Sequence, residues 1–402
     1  MSTFKNLGER YSPLYFLSSV GAGGLAISFF MYLMWMTPHK GSPIPSYSTL
    51  MPLLKNGSTI QQAMIATALL AIIYFIFMHL RLLVWNLKQY STFKASSGFS
   101  SFKNSNAESQ LMAIPLTYAM TMNAGFIGGA LFVPGLWESR ELLFPFSLVA
   151  FSAIGIYAMR IYLDFISRSL TTGGYDCAKN NSLGQMIAVF SFAMVGVGFS
   201  AVAAMSHVKL VSALGFMGSV FFISAAILLG FIKLILGFRS MMEHKAAGET
   251  TPTLWILIPF ITVVGIALYR LKMAMAHNFD GVVTASGNFA FFSVLFSIQL
   301  LFGLIGWSVM KKVGYYDRWI SGPEKSPSSY ALVCPGVALF VFGNFLINAG
   351  LVKIGVVAYL STAYFALYAP IIAVQLVTVW LFFKLNSKLL KEEAGAQLQA
   401  AE

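Results

Sequence analysis

The stretch SPSSYALVCPGVALFVFGNFLINAG, from Ser326 to Gly350, is apolar along nearly its whole length. A helix that spans a membrane needs about 20 mostly apolar residues, so this stretch predicts such a helix. Cys334 stands directly before Pro335 near its start, and two asparagines, Asn344 and Asn348, stand near its end. Because proline interrupts the helical hydrogen-bond ladder, we expect a kinked helix with polar contacts.

The rest of the chain has the same apolar character. Of its 402 residues, 57% are hydrophobic and only 10% are charged, whereas soluble domains carry about 25% charged residues. We therefore predict an all-α integral membrane protein. The net charge is +12, but the cations lie between apolar runs. That distribution indicates topology signals and contact with anionic membrane lipid, and we expect no nucleic-acid binding.

Ten segments are long and apolar enough to predict membrane-spanning helices. They are approximately Leu14–Met36, Ile60–Trp85, Leu111–Val133, Leu143–Ile166, Leu183–Met205, Leu210–Phe238, Thr253–Met275, Val282–Met310, Tyr330–Leu351 and Ile354–Phe383. This count divides the chain into an N-terminal segment (1–11), a ten-helix transmembrane domain (12–386) and a C-terminal tail (387–402).

The basic residues predict how these helices are oriented. Of the 26 Lys and Arg residues, 19 lie on the side that holds both termini, and 7, with Arg270 counted among them, lie on the other. Loops rich in Lys and Arg stay in the cytoplasm. We therefore expect a multi-pass protein of the plasma (inner) membrane with both termini cytoplasmic.

Prolines and glycines are distributed unevenly over the ten segments. Every odd-numbered segment has a proline or a glycine cluster in its body, namely Gly21 with Gly23 and Gly24, Pro115, Gly196 with Gly198, Pro259, and Pro335. The alternation predicts five helical hairpins, with kinked odd-numbered helices inside around a pore and even-numbered helices outside. Close packing of helices through small residues is the alternative explanation for the glycines.

The polar residues of the odd segments are neutral hydroxyls and amides, and carboxylates are nearly absent from the segment interiors, Asp164 being the exception. Such a path suits anions, since carriers coupled to cations usually have intramembrane Asp or Glu. A membrane anchor that binds quinone for a redox complex is the alternative class. We find no catalytic triad, nucleotide fingerprint or metal-ligand spacing, so we expect no enzyme activity, no cofactor and no metal.

Four short stretches resemble one known transporter family. They are ESQLMAIPLTYAM (Glu108–Met120), MRIYLDFISRSLTTGG (Met159–Gly174), HKAAGETTPTLWILIPFITVVGIALY (His244–Tyr269) and SSYALVCPGVALF (Ser328–Phe340). Together with ten spans and kinked odd helices, they are similar to the tellurite-resistance/dicarboxylate transporter family, which includes a bacterial tellurite-resistance anion channel and the plant slow-type anion channel.

This resemblance implies an anion channel or transporter for small inorganic anions, oxyanions or C4-dicarboxylates, commonly a homotrimer with a separate pore in each protomer. It also implies a phenylalanine plug directly before the proline of the ninth span. When the proline of the family's ninth span is matched to Pro335, the position of the phenylalanine plug is occupied by Cys334 in this sequence. The plug is therefore missing at that position, and Phe260, Phe340 or Phe345 is a candidate to replace it.

Helix geometry extends this prediction along the ninth segment. At about 100° per residue, Ala338, Phe345 and Asn348 lie within about 40° of Cys334. We therefore predict a pore lined by residues of four odd segments. They are Gly21, Gly24, Pro115, Pro259, Phe260, Cys334, Pro335, Ala338, Phe345 and Asn348.

Overall fold

The computed structural model describes residues 4–173 and 175–391. Within those ranges the regular secondary structure is helical, the helices are joined by turns and loops, and one isolated bridge pairs Phe4 with Lys391. Ten of the helices described there are long and apolar enough to cross a membrane. They are α1 (Pro13–Met36), α2 (Thr59–Lys94), α3 (Asn106–Phe132), α4 (Arg140–Thr171), α5 (Met186–Met205), α6 (Lys209–His244), α7 (Gly248–Asn278), α8 (Ala285–Lys312), α9 (Pro327–Val352) and α10 (Thr362–Leu390).

These helices confirm the predicted number of spans, and most of their bounds agree with the apolar runs. Helix α2 continues to Lys94, nine residues beyond the predicted end at Trp85. Helix α10 begins at Thr362 rather than at Ile354. Between them, Gly355 and Leu360 have φ angles of 78° and 56°, which a right-handed helix does not accept. Helix α10 continues to Leu390, four residues beyond the domain boundary predicted at 386. Most of the predicted tail, residues 392–402, lies outside the described ranges.

The odd- and even-numbered helices differ in how much of their surface the protein covers. In the most apolar stretch of each odd helix, 61–94% of the residues are buried, against 17–33% in each even helix. A helix that is apolar on all sides must be covered by protein or by lipid. The odd helices are therefore covered by protein, and the even helices leave most of their apolar surface for lipid.

Three of the odd helices begin in the same way. Their first part is a 3₁₀ helix, and the α-helical part follows, with Pro115, Pro259 or Pro335 as its third residue. The 3₁₀ parts are Asn106–Met112, Gly248–Ile256 and Pro327–Leu332. The prolines were expected to kink the helix bodies, but they mark the 3₁₀-to-α transition, where a missing N–H donor is tolerated.

Glycines of α1 allow a close approach to α9. A Cβ atom on Gly21 would lie 2.9 Å from Cγ1 of Val333, and one on Gly24 would lie 3.2 Å from Cγ1 of Val337. Packing through small residues, the alternative explanation for these glycines, therefore holds for this pair of helices.

Candidate functional site

A partly open cavity of about 540 Å³ lies between the odd-numbered helices, and we call it the central cavity. All five odd helices contribute to its wall. One lining residue from each, in chain order, is Gly24, Asn123, Met194, Arg270 and Ala338. Side chains of α4, among them Arg140 and Phe146, complete the wall. Most of the lining is apolar, so the few polar groups decide which solutes the cavity accepts.

A second cavity, of about 270 Å³, lies where the odd helices begin, and we call it the vestibule. Its lining is much more polar. The polar lining residues are Asn106, Ser109, Gln110, Lys179, Asn180, Ser182, Gln185, Thr250, Thr253 and Ser328. Hydrogen bonds hold this wall together: Gln185 Nε2 donates to the Asn106 carbonyl at 2.9 Å, and the Leu183 backbone N–H donates to Thr253 Oγ1 at 3.0 Å.

The two cavities meet at three residues that line both of them: Phe190 of α5, Pro259 of α7 and Cys334 of α9. We call these three residues the junction. The Phe190 side chain is only 4% exposed, and it is the bulkiest group of the three. A solute that passed from the vestibule into the central cavity would have to displace or pass this ring.

Two arginines supply the charge of the central cavity. Arg270 lies well inside α7, and its Nη1 donates to the Val197 carbonyl at 3.2 Å. Arg140 begins α4 and is half-buried; its Nη1 donates to the Trp137 carbonyl at 3.3 Å, its Nη2 lies 3.4 Å from His207 Nε2, and its Nε is buried without a hydrogen-bond partner. Guanidinium N–H groups without a protein acceptor favour a negatively charged or electron-rich ligand.

Carboxylates are missing from the lining of both cavities, as far as the described residues go. Glu108 and Glu249 are each next in sequence to a vestibule residue. Glu108 forms an ion pair with Arg168 of α4, and Glu249 Oε1 accepts a hydrogen bond from Ser326 Oγ at 2.7 Å. Asp176 pairs with Lys179 of the vestibule at 3.3 Å. The backbone N–H and then the ammonium of Lys179 hold the pKa of Asp176 below its ordinary value, so this acid stays ionised and offsets the Lys179 charge.

Six of the ten predicted pore residues line the central cavity. They are Gly21, Gly24, Pro259, Cys334, Ala338 and Phe345. The other four, Pro115, Phe260, Pro335 and Asn348, lie in neither lining. For Pro115 and Pro335, the reason is their place in the first turn of the α-helical part, where each is buried in the packing between helices.

The prediction that Asn348 faces the cavity was wrong. Its Nδ2 donates to Tyr368 Oη at 2.7 Å, and its Oδ1 accepts from Tyr364 Oη at 2.9 Å. Both tyrosines belong to α10. The α-helical part of α9 ends at Phe345, and Leu346–Val352 is a π-helix. A π-helix turns the chain less per residue than an α-helix, so the 100° extrapolation fails beyond Phe345.

The three phenylalanines considered as replacement plugs lie away from the junction. Phe260 lies against Gly230 of α6, and Phe340 packs on Tyr32 with ring centroids 5.4 Å apart. Phe345 does line the central cavity, where it packs against Trp35 and Tyr269 and closes the far end of the α9 wall. None of the three lines the vestibule.

The sequence prediction missed Phe190 and Arg270. Helix α5 is buried on nearly all sides, so no polar or broken position marked Phe190. Arg270 did carry a signal, because it stands inside an apolar segment rather than after it. The charge count assigns it to the seven basic residues of the side opposite the termini.

In comparisons with known proteins, no family model and no curated protein matches this chain. The described residues contain no group of three side chains suited to hold a metal ion. The molecule is thus a multi-pass membrane protein with a cavity that is lined by two arginines.

Proposed function

We propose that this chain is an anion channel or anion transporter, and that the central cavity, the junction and the vestibule form its pathway. One observation carries this proposal. Two cavities that share residues extend between the odd helices; the central cavity is lined by Arg270 and Arg140, and no carboxylate among the described residues lines either cavity. In a low-dielectric cavity, fixed cations attract anions and repel cations much more strongly than at a surface.

The burial pattern supports a fuller architecture for this function. Five hairpins would place the odd helices around the pore and the even helices against lipid. The fraction of buried residues favours this arrangement, since it is 61–94% in the odd helices and 17–33% in the even helices. With the termini cytoplasmic, the vestibule opens to the cytoplasm and Arg140 lies near the opposite side. This arrangement and the proline positions fit the resemblance to the tellurite-resistance/dicarboxylate transporter family, and a homotrimer in the plasma (inner) membrane is part of the proposal.

The junction takes the role of the gate in this proposal. Cys334 is too small to close the pathway, and the Phe190 ring faces the same two cavities from α5. The aromatic ring that closes the pathway thus comes from α5, whereas the resemblance implies a ring from the ninth span. Small inorganic anions and oxyanions suit a cavity of about 540 Å³, and C4-dicarboxylates also fit within it.

The direct test is anion flux into liposomes that contain the purified protein. We expect saturable or conductive flux of at least one member of a panel of chloride, nitrate, sulfite and malate. Arg270→Gln should lower that flux at least about tenfold, since it removes a charge from a cavity of low dielectric.

Lys272→Gln is the matched control, because Lys272 stands on the same helix with its ammonium 4.1 Å from the centre of the Phe291 ring and does not line the cavity. It should leave the flux within about twofold of the wild type. Absence of flux for every anion of the panel, or equal losses in both variants, would contradict the proposal.

A second candidate is a membrane subunit that binds quinone for a redox complex. The observation that favours it is the contribution of α4 to the central cavity, since Phe146 and Leu143 line the cavity and are 72% and 36% exposed toward the lipid. A lipid-soluble ring could pass between the helices there. Extraction of stoichiometric quinone from the purified protein, with no anion flux, would favour this function over transport.

A further inference from the structure

We propose that His79 is a proton-binding site coupled to the anion in the central cavity, so that a proton accompanies or promotes each anion. This inference rests on the proposed function. His79 lies on α2, an outer helix, yet its side chain is fully buried. It is enclosed between α1 and α3. An ionisable residue inside a membrane protein is costly and is generally retained for function.

The surroundings of the imidazole form a built site. A Cβ atom on Gly23 would lie 3.0 Å from His79 Nδ1, so glycine leaves the room that the ring occupies. Nδ1 lies 2.8 Å from the Ser19 carbonyl and 3.0 Å from Ser19 Oγ. The Ser19 hydroxyl in turn donates to the His79 carbonyl at 2.9 Å. Both polar groups of Ser19 are therefore committed to this one histidine.

These contacts define the tautomer of the neutral ring. A carbonyl oxygen only accepts hydrogen bonds, so Nδ1 must carry the hydrogen that the Ser19 carbonyl accepts. In neutral His79, Nε2 is then the bare nitrogen. Nε2 lies 2.8 Å from Oγ1 of Thr121, a residue that lines the central cavity. The one free lone pair of the ring is thus separated from the cavity by a single hydroxyl.

The Thr121 hydroxyl can donate in only one direction at a time, and two acceptors compete for its hydrogen. They are His79 Nε2 at 2.8 Å and the Thr117 carbonyl at 2.9 Å. When His79 is neutral, Nε2 can only accept, so the Thr121 hydrogen points at the ring. The oxygen lone pairs of Thr121 then remain for the cavity, which disfavours an anion there.

Protonation reverses this arrangement. A hydronium ion in the cavity gives a proton to the Thr121 oxygen while the Thr121 hydrogen passes to Nε2. One O–H bond of hydronium and the old O–H bond of Thr121 break, a new Thr121 O–H bond and an Nε2–H bond form, and water is released. Imidazolium Nε2–H now donates to Thr121, whose hydrogen is released toward the Thr117 carbonyl or toward an anion. The cavity gains both a positive charge next to its wall and a hydrogen-bond donor.

Other ionisable groups do not interfere with this site. On α1 and α3, the two helices that enclose the ring, the titratable residues are Tyr15, Tyr32, Glu108 and Tyr118. Glu108 is paired with Arg168. On α2 itself, the nearest cation in sequence, Arg81, lies over the Phe4 ring at 4.3 Å. The remaining charges that face the cavity are Arg140 and Arg270.

The first measurement is nitrate flux into proteoliposomes between about pH 8 and about pH 5, the range in which histidine ordinarily titrates. Wild-type flux should rise at least about fivefold as the pH falls, a coupling of ordinary size between two sites. His79→Gln and Thr121→Val should remove this rise. Thr121→Ser keeps the hydroxyl and should retain it, and His244→Gln, which changes an exposed histidine, should behave like the wild type.

The second measurement uses nitrogen NMR of the purified protein with labelled histidine side chains, the His79 signal being assigned by its loss in His79→Gln. By reciprocity, nitrate should move the His79 titration midpoint toward higher pH, by about one pH unit for a tenfold coupling, and Thr121→Val should abolish the movement. Flux that does not depend on pH, or that keeps its pH dependence in His79→Gln, would overturn this inference while leaving anion transport intact. No flux of any anion would overturn the proposed function itself.

Discussion

Helix α9 has two faces that differ in chemistry and in their neighbours. Its cavity face is apolar, with Cys334, Ala338 and Phe345. Its opposite face carries Asn344 and Asn348, which meet two tyrosines of α10. Tyr368 Oη donates to Asn344 Oδ1 at 2.6 Å, and Asn348 joins both tyrosine hydroxyls. We call these four polar residues, Asn344, Asn348, Tyr364 and Tyr368, the asparagine–tyrosine cluster.

The comparison shows that polarity alone does not indicate which face of a membrane helix borders a cavity. All four side chains of the asparagine–tyrosine cluster are buried, and they satisfy one another, so they serve to join α9 to α10. The cavity face of α9 is apolar, and charge in the cavity comes from Arg270 on α7 and Arg140 on α4. Unused hydrogen-bonding capacity that points into a cavity is therefore the better indication of function.

The largest expected effect comes from breaking the polar face. Asn348→Leu removes hydrogen bonds to Tyr364, Tyr368 and the Asn344 carbonyl and leaves buried hydroxyls with fewer partners. We expect a loss of about 2 kcal/mol in the free energy of unfolding, the upper end for hydrogen bonds between membrane helices, or roughly 30-fold in the unfolding equilibrium. Unfolding in mixed micelles of increasing denaturing-detergent content measures it.

Asn123→Leu is the control for that prediction. Asn123 faces the cavity, and its Nδ2 donates to the Ala119 carbonyl and the Met194 sulfur. Asn123→Leu should lower the free energy of unfolding less than Asn348→Leu does. Anion flux per folded molecule should change in Asn123→Leu and stay at the wild-type level in Asn348→Leu. If Asn348→Leu altered flux with unchanged stability, the assignment of the two faces would be reversed.

The next effect concerns Phe190, the residue that α5 contributes to the junction. Phe190→Ala removes the bulkiest group between the vestibule and the central cavity, so we expect anion flux in liposomes to rise about tenfold, equivalent to about 1.4 kcal/mol of barrier. The unfolding free energy should fall as for other large-to-small changes, by about 3 kcal/mol at most, because the ring already borders two cavities.

Phe192→Ala deletes the same ring two residues away on the same helix. Phe192 packs against Tyr162 and Phe222, with ring centroids 5.5 Å and 6.1 Å apart, and lines neither cavity. It should destabilise the protein without raising flux. A similar rise in both variants would mean that general loosening, and not the junction, controls the flux.

The parts of the fold that the sequence predicted correctly are those governed by long apolar runs. A run such as Thr253–Met275 has to be shielded from water along its whole length, so its place in a membrane helix follows from composition. The uneven spacing of prolines also has a structural counterpart, although Pro115, Pro259 and Pro335 mark the starts of α-helical parts rather than kinks in their middle.

The site was predicted less completely, for two physical reasons. Helical rotation is not constant, and the π-helix from Leu346 to Val352 turned Asn348 away from the expected direction. In addition, Phe190 is one of many apolar residues on a helix that is buried all round. Only the packing of neighbouring helices distinguishes it, and no local pattern in the sequence encodes that packing.

The smallest expected effect tests the apolar face itself. Cys334→Phe introduces a ring where the vestibule and the central cavity meet, and it should lower anion flux about threefold, since Phe190 already restricts this point. Cys177→Phe, at the exposed cysteine, should leave flux unchanged. Flux equal to or above the wild type in Cys334→Phe would remove Cys334 from the gate.

The double variant Phe190→Ala with Cys334→Phe decides whether the two residues act on one constriction. If they do, a ring supplied by α9 replaces the ring lost from α5, and the flux should return to within about twofold of the wild type. Residues that share one contact are not additive, whereas residues at separate sites are. If the two substitutions act independently, a tenfold rise and a threefold fall combine to a flux about threefold above the wild type. That result would show that the pathway narrows elsewhere than at the junction.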